Sequence, residues 1–259
     1  MNRTPQWCKN LPLEVDIKTM KHIVKFSGGA ASAVVAKIIL DRYGKEDVIL
    51  LYSDTKSEHP DADRFRAQVC GYLGKEMMVV EDGRDIWNLI DDEHCLPSNF
   101  IPFCTRILKQ KPSEKFLASL GEEYIEYLGF TQDEIKRAIR AEARSASQHK
   151  KIGFPLLEDG ISSDECKRII RDEWKICLPE PYKYLEHNNC IPCFKGGKKY
   201  WKLVAKYYPE QFEKEVLKEE LLGHTVFKDM TLRQLDAIVS KDIDLFDDSE
   251  DNIPCMCSI

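Results

Sequence analysis

Short, mostly apolar runs at residues 22–26, 48–52, 77–80 and 124–128 recur through the first half of the chain, with helix-length stretches between them. Runs of this kind, bounded by helical segments, read as strands covered on both faces. Parallel strands cannot be joined by a tight turn and need a crossover, usually a helix. The alternation therefore predicts an α/β fold: a Rossmann-like parallel sheet with helices on both faces.

Helices are expected at 30–43 and 60–73, where Pro60 suits a first turn because its missing N–H has no intrahelical partner to lose. Thr105 is expected to cap a helix carrying Leu108, Phe116 and Leu117. Thr131 is expected to cap another over 132–147, with Glu134 completing a capping box. After residue 155 the pattern changes to helical stretches at 162–176, 201–208 and 209–222, interrupted by a Pro- and Tyr-rich loop and a C-x-x-C segment. The expected organisation is an N-terminal extension at 1–20, an α/β domain at 21–155, and a smaller, mostly helical, cysteine-containing region at 156–259 with an acidic C-x-C tail.

Ser27, Gly28, Gly29, Ala30, Ala31 and Ser32 follow the first apolar run and open the first helix. Paired glycines let a backbone turn tightly and bring its amides close to an anion. A helix start adds unsatisfied N–H groups and a partial positive charge. A phosphate fits that geometry; so, on the hexapeptide alone, does a plain glycine turn. The second run ends in Ser53, Asp54 and Thr55. Ligands of open α/β sheets sit beyond the carboxyl ends of the strands, so the two loops are expected to share one crevice.

Together, SGGAAS, SDTKSEHPDADRF and the later segment Gly129-Phe130-Thr131-Gln132-Asp133-Glu134 with Arg137 resemble the phosphoadenosine phosphosulfate reductase family of the ATP-pyrophosphatase superfamily. The resemblance covers roughly residues 20–210. It implies an adenine nucleotide, ATP or an adenylyl sulfate compound, with its phosphates on the 27–32 loop. Base and ribose would then lie near Ser53, Asp54 and Thr55, with Gly129 and Arg137 also at the site and Mg accompanying ATP. One departure stands out: ATP-hydrolysing relatives carry aspartate where this chain has Ala31, whereas the sulfate-reducing branch does not keep it.

Ten cysteines exceed what packing usually needs in a reducing compartment, and close pairs there point to metal or redox work. Cys8, Cys70, Cys95, Cys166 and Cys177 read as core or surface thiols. Cys190 and Cys193 form a C-x-x-C pair able to grip a metal, hold a cluster or cycle as a disulfide. Cys104, with Lys109 and Pro112 downstream, resembles the first cluster segment of adenylyl-sulfate reductases, except that Phe103 replaces its paired cysteine. Three arrangements stand. One is a [4Fe-4S] cluster on Cys104, Cys190, Cys193 and a tail cysteine; the second is zinc on Cys190, Cys193, Cys255 and Cys257; the third leaves the thiols unligated. Cys255 and Cys257 are also weak candidates for a catalytic thiol, because Asp247, Asp248, Glu250 and Asp251 would raise their pKa.

Lys136, Arg137, Arg140 and Arg144 are expected to share one basic helix face. Phe194, Tyr200 and Trp201, interleaved with Lys195, Lys198 and Lys199, suit a core more than base stacking. His187 is expected to make a polar contact.

A net charge of −6 argues against a nonspecific nucleic-acid coat, although a nucleic-acid acceptor for sulfur stays open. No apolar run approaches a membrane span, and the first residues lack a signal-peptide core, so a cytoplasmic location is expected. Two function classes follow. The first is an adenine-nucleotide-dependent sulfur-transfer enzyme, acting by adenylation or by reduction of an adenylyl sulfate, with a sulfur donor or reductant protein as partner. The second is a nucleotide-binding sensor of the same fold that lacks catalysis.

Overall fold

The computed structural model describes residues 20–98 and 101–238. The first layer forms in the order β1 (Lys21–Lys25), α1 (Ala30–Tyr43), β2 (Val48–Asp54), α2 (Asp61–Leu73), β3 (Met77–Glu81) and α3 (Ile86–Glu93). A π-helical turn at Thr105–Gln110 leads into α4 (Lys111–Ser119), followed by β4 (Tyr124–Tyr127), α5 (Ile135–Ser147) and β5 (Ile152–Gly153). The remaining helices are α6 (Pro155–Glu158), α7 (Ser163–Arg168), α8 (Lys198–Tyr207), α9 (Pro209–Leu222) and α10 (Leu232–Ala237).

All five strands pair in parallel, in the order β3-β2-β1-β4-β5. The expected α/β Rossmann-like sheet is what forms. Side chains of β1 alternate between faces: Val24 and Phe26 pack with α1 and α2, whereas Ile23 meets Leu51 and Leu117 of α4 on the other side. Burying each such side chain fully contributes roughly 1.5–3 kcal/mol, which ties the strands to both helical layers. Buried His22 stays compatible with this core because its Nδ1 lies 2.9 Å from the Tyr127 hydroxyl and its ring stacks on Tyr43.

The third run departs from expectation. Met78 and Val79 are 44% and 46% exposed, because β3 is the edge strand and one flank has no neighbour. Thr105 does not cap a helix; it lies inside the helical path, its amide bonded to the Pro102 carbonyl. Thr131 does cap, with the Glu134 side chain returning to the Thr131 amide at 3.1 Å.

The first core continues past residue 155. Leu156, Cys166, Ile170, Trp174 and Ile176 pack in it, so α6, α7 and the turn after them complete the cover over α1. A second core joins α3 to the C-terminal helices through Leu89, Ile90, Phe194, Trp201, Val204, Phe212 and Leu235. No helix among the described residues is long and apolar enough to cross a membrane.

Candidate functional site

Strand order decides where a ligand can sit. Connections leave β1 toward β2 on one side, and β4 lies on the other, so the order reverses between β1 and β4. The crevice at such a reversal opens at the carboxyl ends of those two strands. A cavity of about 670 Å³ lies there, lined by Ser27, Gly29, Ala30, Ala31 and Ser32 after β1 and by Gly129–Thr131 with Arg137 after β4. That volume falls in the range of pockets that bury nucleotide-sized ligands.

Gly28 turns the loop with φ +73°, a left-handed conformation that a side chain disfavours. Gly29 is the extended N-cap of α1, and the first intrahelical bond runs from Ala33 N–H to its carbonyl. The amides of Ala31 and Ser32 thus precede the helical ladder and belong to its donor-rich end. The Ala30 amide is already used, donating to the Tyr182 hydroxyl at 3.0 Å. The Ser32 hydroxyl donates to Gly29 O at 2.9 Å and accepts from Ser27 at 3.2 Å, fixing the turn. Asn188 Nδ2 donates to Gly28 O at 3.1 Å and holds the loop from the C-terminal side.

The facing wall is cationic. Arg137 pairs with Glu134 and lies 4.9 Å from the Phe130 ring centre. Burial, with Arg140 nearby, lowers the pKa of its guanidinium to about 10. Lys195 is also buried, and burial lowers its pKa, partly offset by Cys104 and Cys193. Lys25, Lys167 and Lys199 also line the cavity, together with Asp133, Glu134, Asp164 and Glu186. Desolvation lowers the pKa of His187, another lining residue. A buried cation that loses solvation is stabilised by an incoming anion.

Arg137 therefore departs from the expected basic face: it points inward while Lys136, Arg140 and Arg144 stay exposed on α5. Phe194 and Trp201 are buried core residues. Tyr200 lines the cavity beside Lys199.

Ser53, Asp54 and Thr55 do not line this cavity. Ser53 donates to Lys109 O at 3.2 Å, Asp54 accepts from the Lys56 amide at 2.8 Å, and Thr55 faces a second chamber of about 30 Å³. Their separation follows from the reversal lying between β1 and β4 rather than between β1 and β2.

That second chamber gathers Cys104, Cys190 and Cys193 with Thr55, Lys109 and Lys195. The Thr55 hydroxyl lies 3.2 Å from Cys190 Sγ. Burial raises the pKa of all three thiols. Burial also works to lower that of Lys109, but Cys190, Glu58, Cys193 and Cys104 outweigh it and hold the ammonium above its ordinary value. The two directions are coupled. While the thiols are neutral, Lys109 has Glu58, 4.0 Å away, as counter-charge; a thiolate beside it adds a second. Glu58 is shared with Arg66, whose Nη1 lies 2.6 Å from Oε2, both side chains being almost fully buried.

Three thiols are the right donors for a soft metal or an iron–sulfur cluster, and two ammonium groups offset thiolate charge. Among the described residues, however, no three His, Cys, Asp or Glu side chains are arranged to hold a metal ion. Cys255 and Cys257 lie outside the described residues, as does Cys8. Cys166 is buried in the first core, which pushes its thiol up to about 12, and Cys177 is exposed.

Parallel sheet, glycine loop and crevice define an α/β protein with a cavity at its switch point. The phosphoadenosine phosphosulfate reductase domain matches residues 21–157, more than half the chain, and the chain belongs to that family. The family binds adenine nucleotides and carries out sulfur transfer. No curated protein matches the sequence.

Tyr182, Asn188, Lys25, Lys167 and Lys195 escaped the sequence reading as members of this cavity. Only Lys195, two positions after the C-x-x-C pair, carried a local signal.

Proposed function

We propose that this chain is an adenine-nucleotide-dependent sulfur-transfer enzyme. The nucleotide's phosphates lie against the 27–32 loop, and its base and ribose extend along Gly129, Phe130 and Thr131. Arg137 and Lys195 face the anionic end from the opposite wall. The observation that carries this reading is a shared partition: Cys193 and Lys195 line both the nucleotide cavity and the thiol chamber. A thiol behind a nucleotide pocket supplies the nucleophile that sulfur chemistry requires.

Two reactions fit this arrangement. In reduction, a thiolate attacks the sulfur of an adenylyl sulfate, the S–O bond breaks and the adenylate leaves with the electron pair. A second thiol then displaces sulfite, forming a disulfide that an external dithiol protein reduces. In adenylation, an acceptor oxygen attacks the α-phosphorus of ATP and pyrophosphate leaves, its charge met by the loop amides. A sulfur nucleophile then displaces AMP. Ala31 supplies no carboxylate for Mg-bound pyrophosphate, which disfavours adenylation, and no cysteine here carries the flanking glutamate, glycine and histidine of the family's reductases, which disfavours reduction.

Cys104, Cys190 and Cys193 with a tail cysteine would hold an iron–sulfur cluster, which supplies soft Lewis-acid chemistry when bound. Cys190 and Cys193 with Cys255 and Cys257 would instead hold zinc. The same Ala31 favours a second reading, a nucleotide sensor without turnover. Assays of sulfite release from adenylyl sulfates and pyrophosphate release from ATP separate the readings. Either product supports the enzyme; nucleotide binding with neither product supports the sensor.

A further inference from the structure

The segment 182–193 contacts both the 27–32 loop and the residues around the thiol chamber. At its start, the Tyr182 hydroxyl accepts the Ala30 amide at 3.0 Å. This hydroxyl would lie 3.3 Å from a Cβ placed on Gly29, in the crook at the N-terminus of α1. Midway, Asn188 holds the Gly28 carbonyl. At its end, Cys190 bridges to Glu58, Ile191 N–H donates to Ser57 O at 2.8 Å, and Cys190 Sγ meets the Thr55 hydroxyl. Tyr200 closes the pair, accepting from Cys193 N–H at 2.7 Å and donating to Cys190 O at 3.2 Å. One strip of chain therefore joins the phosphate loop to the thiols.

We propose that the Tyr182 hydroxyl holds the place of a nucleotide phosphate oxygen on the Ala30 amide. Its displacement by nucleotide loosens the 182–193 strip and opens Cys190, which lies outside the nucleotide cavity, to reagents. Tyr182 is then a positioning residue that couples nucleotide occupancy to thiol access. The proposal rests on the nucleotide reading above. The physical basis is competition: the amide has one proton to give, and a phosphate oxygen is a stronger, charged acceptor than a phenol. A neutral hydroxyl satisfies the amide in the empty site without a buried charge. Because the coupling is a binding free energy, it runs both ways, and loosening the strip strengthens phosphate binding.

The test is alkylation of the reduced, full-length chain by iodoacetamide, read peptide by peptide by mass spectrometry, with and without saturating ATP. Cys190 should react severalfold faster with ATP, while exposed Cys177 keeps its rate. Tyr182→Phe should show the fast rate without ATP. It should also bind inorganic pyrophosphate roughly fivefold tighter, about the worth of one ordinary hydrogen bond no longer broken. Unchanged or slower alkylation in wild-type protein that binds ATP overturns the coupling and leaves the nucleotide reading standing. Weaker pyrophosphate binding by Tyr182→Phe makes Tyr182 a direct ligand contact and also overturns it. Wild-type protein that binds no ATP removes both. If Tyr182→Phe does not fold, the paired wild-type rates decide.

Discussion

A Cβ placed on Gly129 would stand 3.1 Å from the backbone nitrogen of Ser32. The end of β4 is thus pressed against the first turn of α1, backbone to backbone, with no flexible side chain to give way. Gly129→Ala is expected to push the 27–32 loop from its place and cost about 1–3 kcal/mol, as overpacking does. The loss should appear more in ATP affinity than in melting temperature, because the contact sits at the ligand-facing end of the sheet. Calorimetric titration alongside thermal unfolding checks the split.

Arg66 and Glu58 form an ion pair whose side chains are 3% and 6% exposed, beneath the Gly28 turn. The Arg66 guanidinium also lies 4.1 Å from the Tyr52 ring centre. Removing one partner of such a pair strands a buried charge at a cost of roughly 3–5 kcal/mol. Arg66→Met is expected to lower stability by that amount in urea unfolding. Glu58→Gln should do so as well, because it leaves both Arg66 and Lys109 short of counter-charge.

Much of this was legible in the residues. The 27–32 loop could be read because glycines, an apolar run and a helix start coincide within a few positions. Thr131 and Glu134 announced their cap by spacing. What sequence does not carry is strand order, and that is why Ser53, Asp54 and Thr55 were expected in the nucleotide crevice but do not line it, Thr55 bordering the thiol chamber instead. β5, at two residues, is too short to leave a pattern, and Ile86–Glu93 is a short helix that went unread. Tyr182 looked like one aromatic in a Pro-rich loop. Its contact with Ala30 spans 152 positions and leaves no local trace.

In the second core, Glu215 is fully buried, and neither carboxylate oxygen has a hydrogen-bond partner among the described residues. Burial, with Glu219 nearby, raises its pKa well above the ordinary value. Between the unfolded value near ~4.3 and the raised native one, the folded chain holds more protons than the unfolded chain. Stability contributed by this group is therefore lost as pH rises through that window. Glu215→Gln should flatten this decline, leaving the variant about 1–3 kcal/mol more stable than wild type at alkaline pH. Urea unfolding across pH checks it; a parallel decline in both proteins would contradict it.

Anaerobic purification with an absorption spectrum and elemental analysis tests the thiol chamber. The cluster reading expects brown protein with iron, and Cys104→Ser, Cys190→Ser or Cys193→Ser should each reduce the iron content. Colourless protein with zinc retained in Cys104→Ser would select the C-x-x-C and tail arrangement.

The most direct measurement is a titration of the full-length chain with ATP and with pyrophosphate, repeated on Gly29→Asp, which places a carboxylate at the helix N-cap. The account predicts saturable ATP binding that pyrophosphate competes away and that Gly29→Asp abolishes by charge repulsion. ATP binding indifferent to both, or no binding at all, would contradict it.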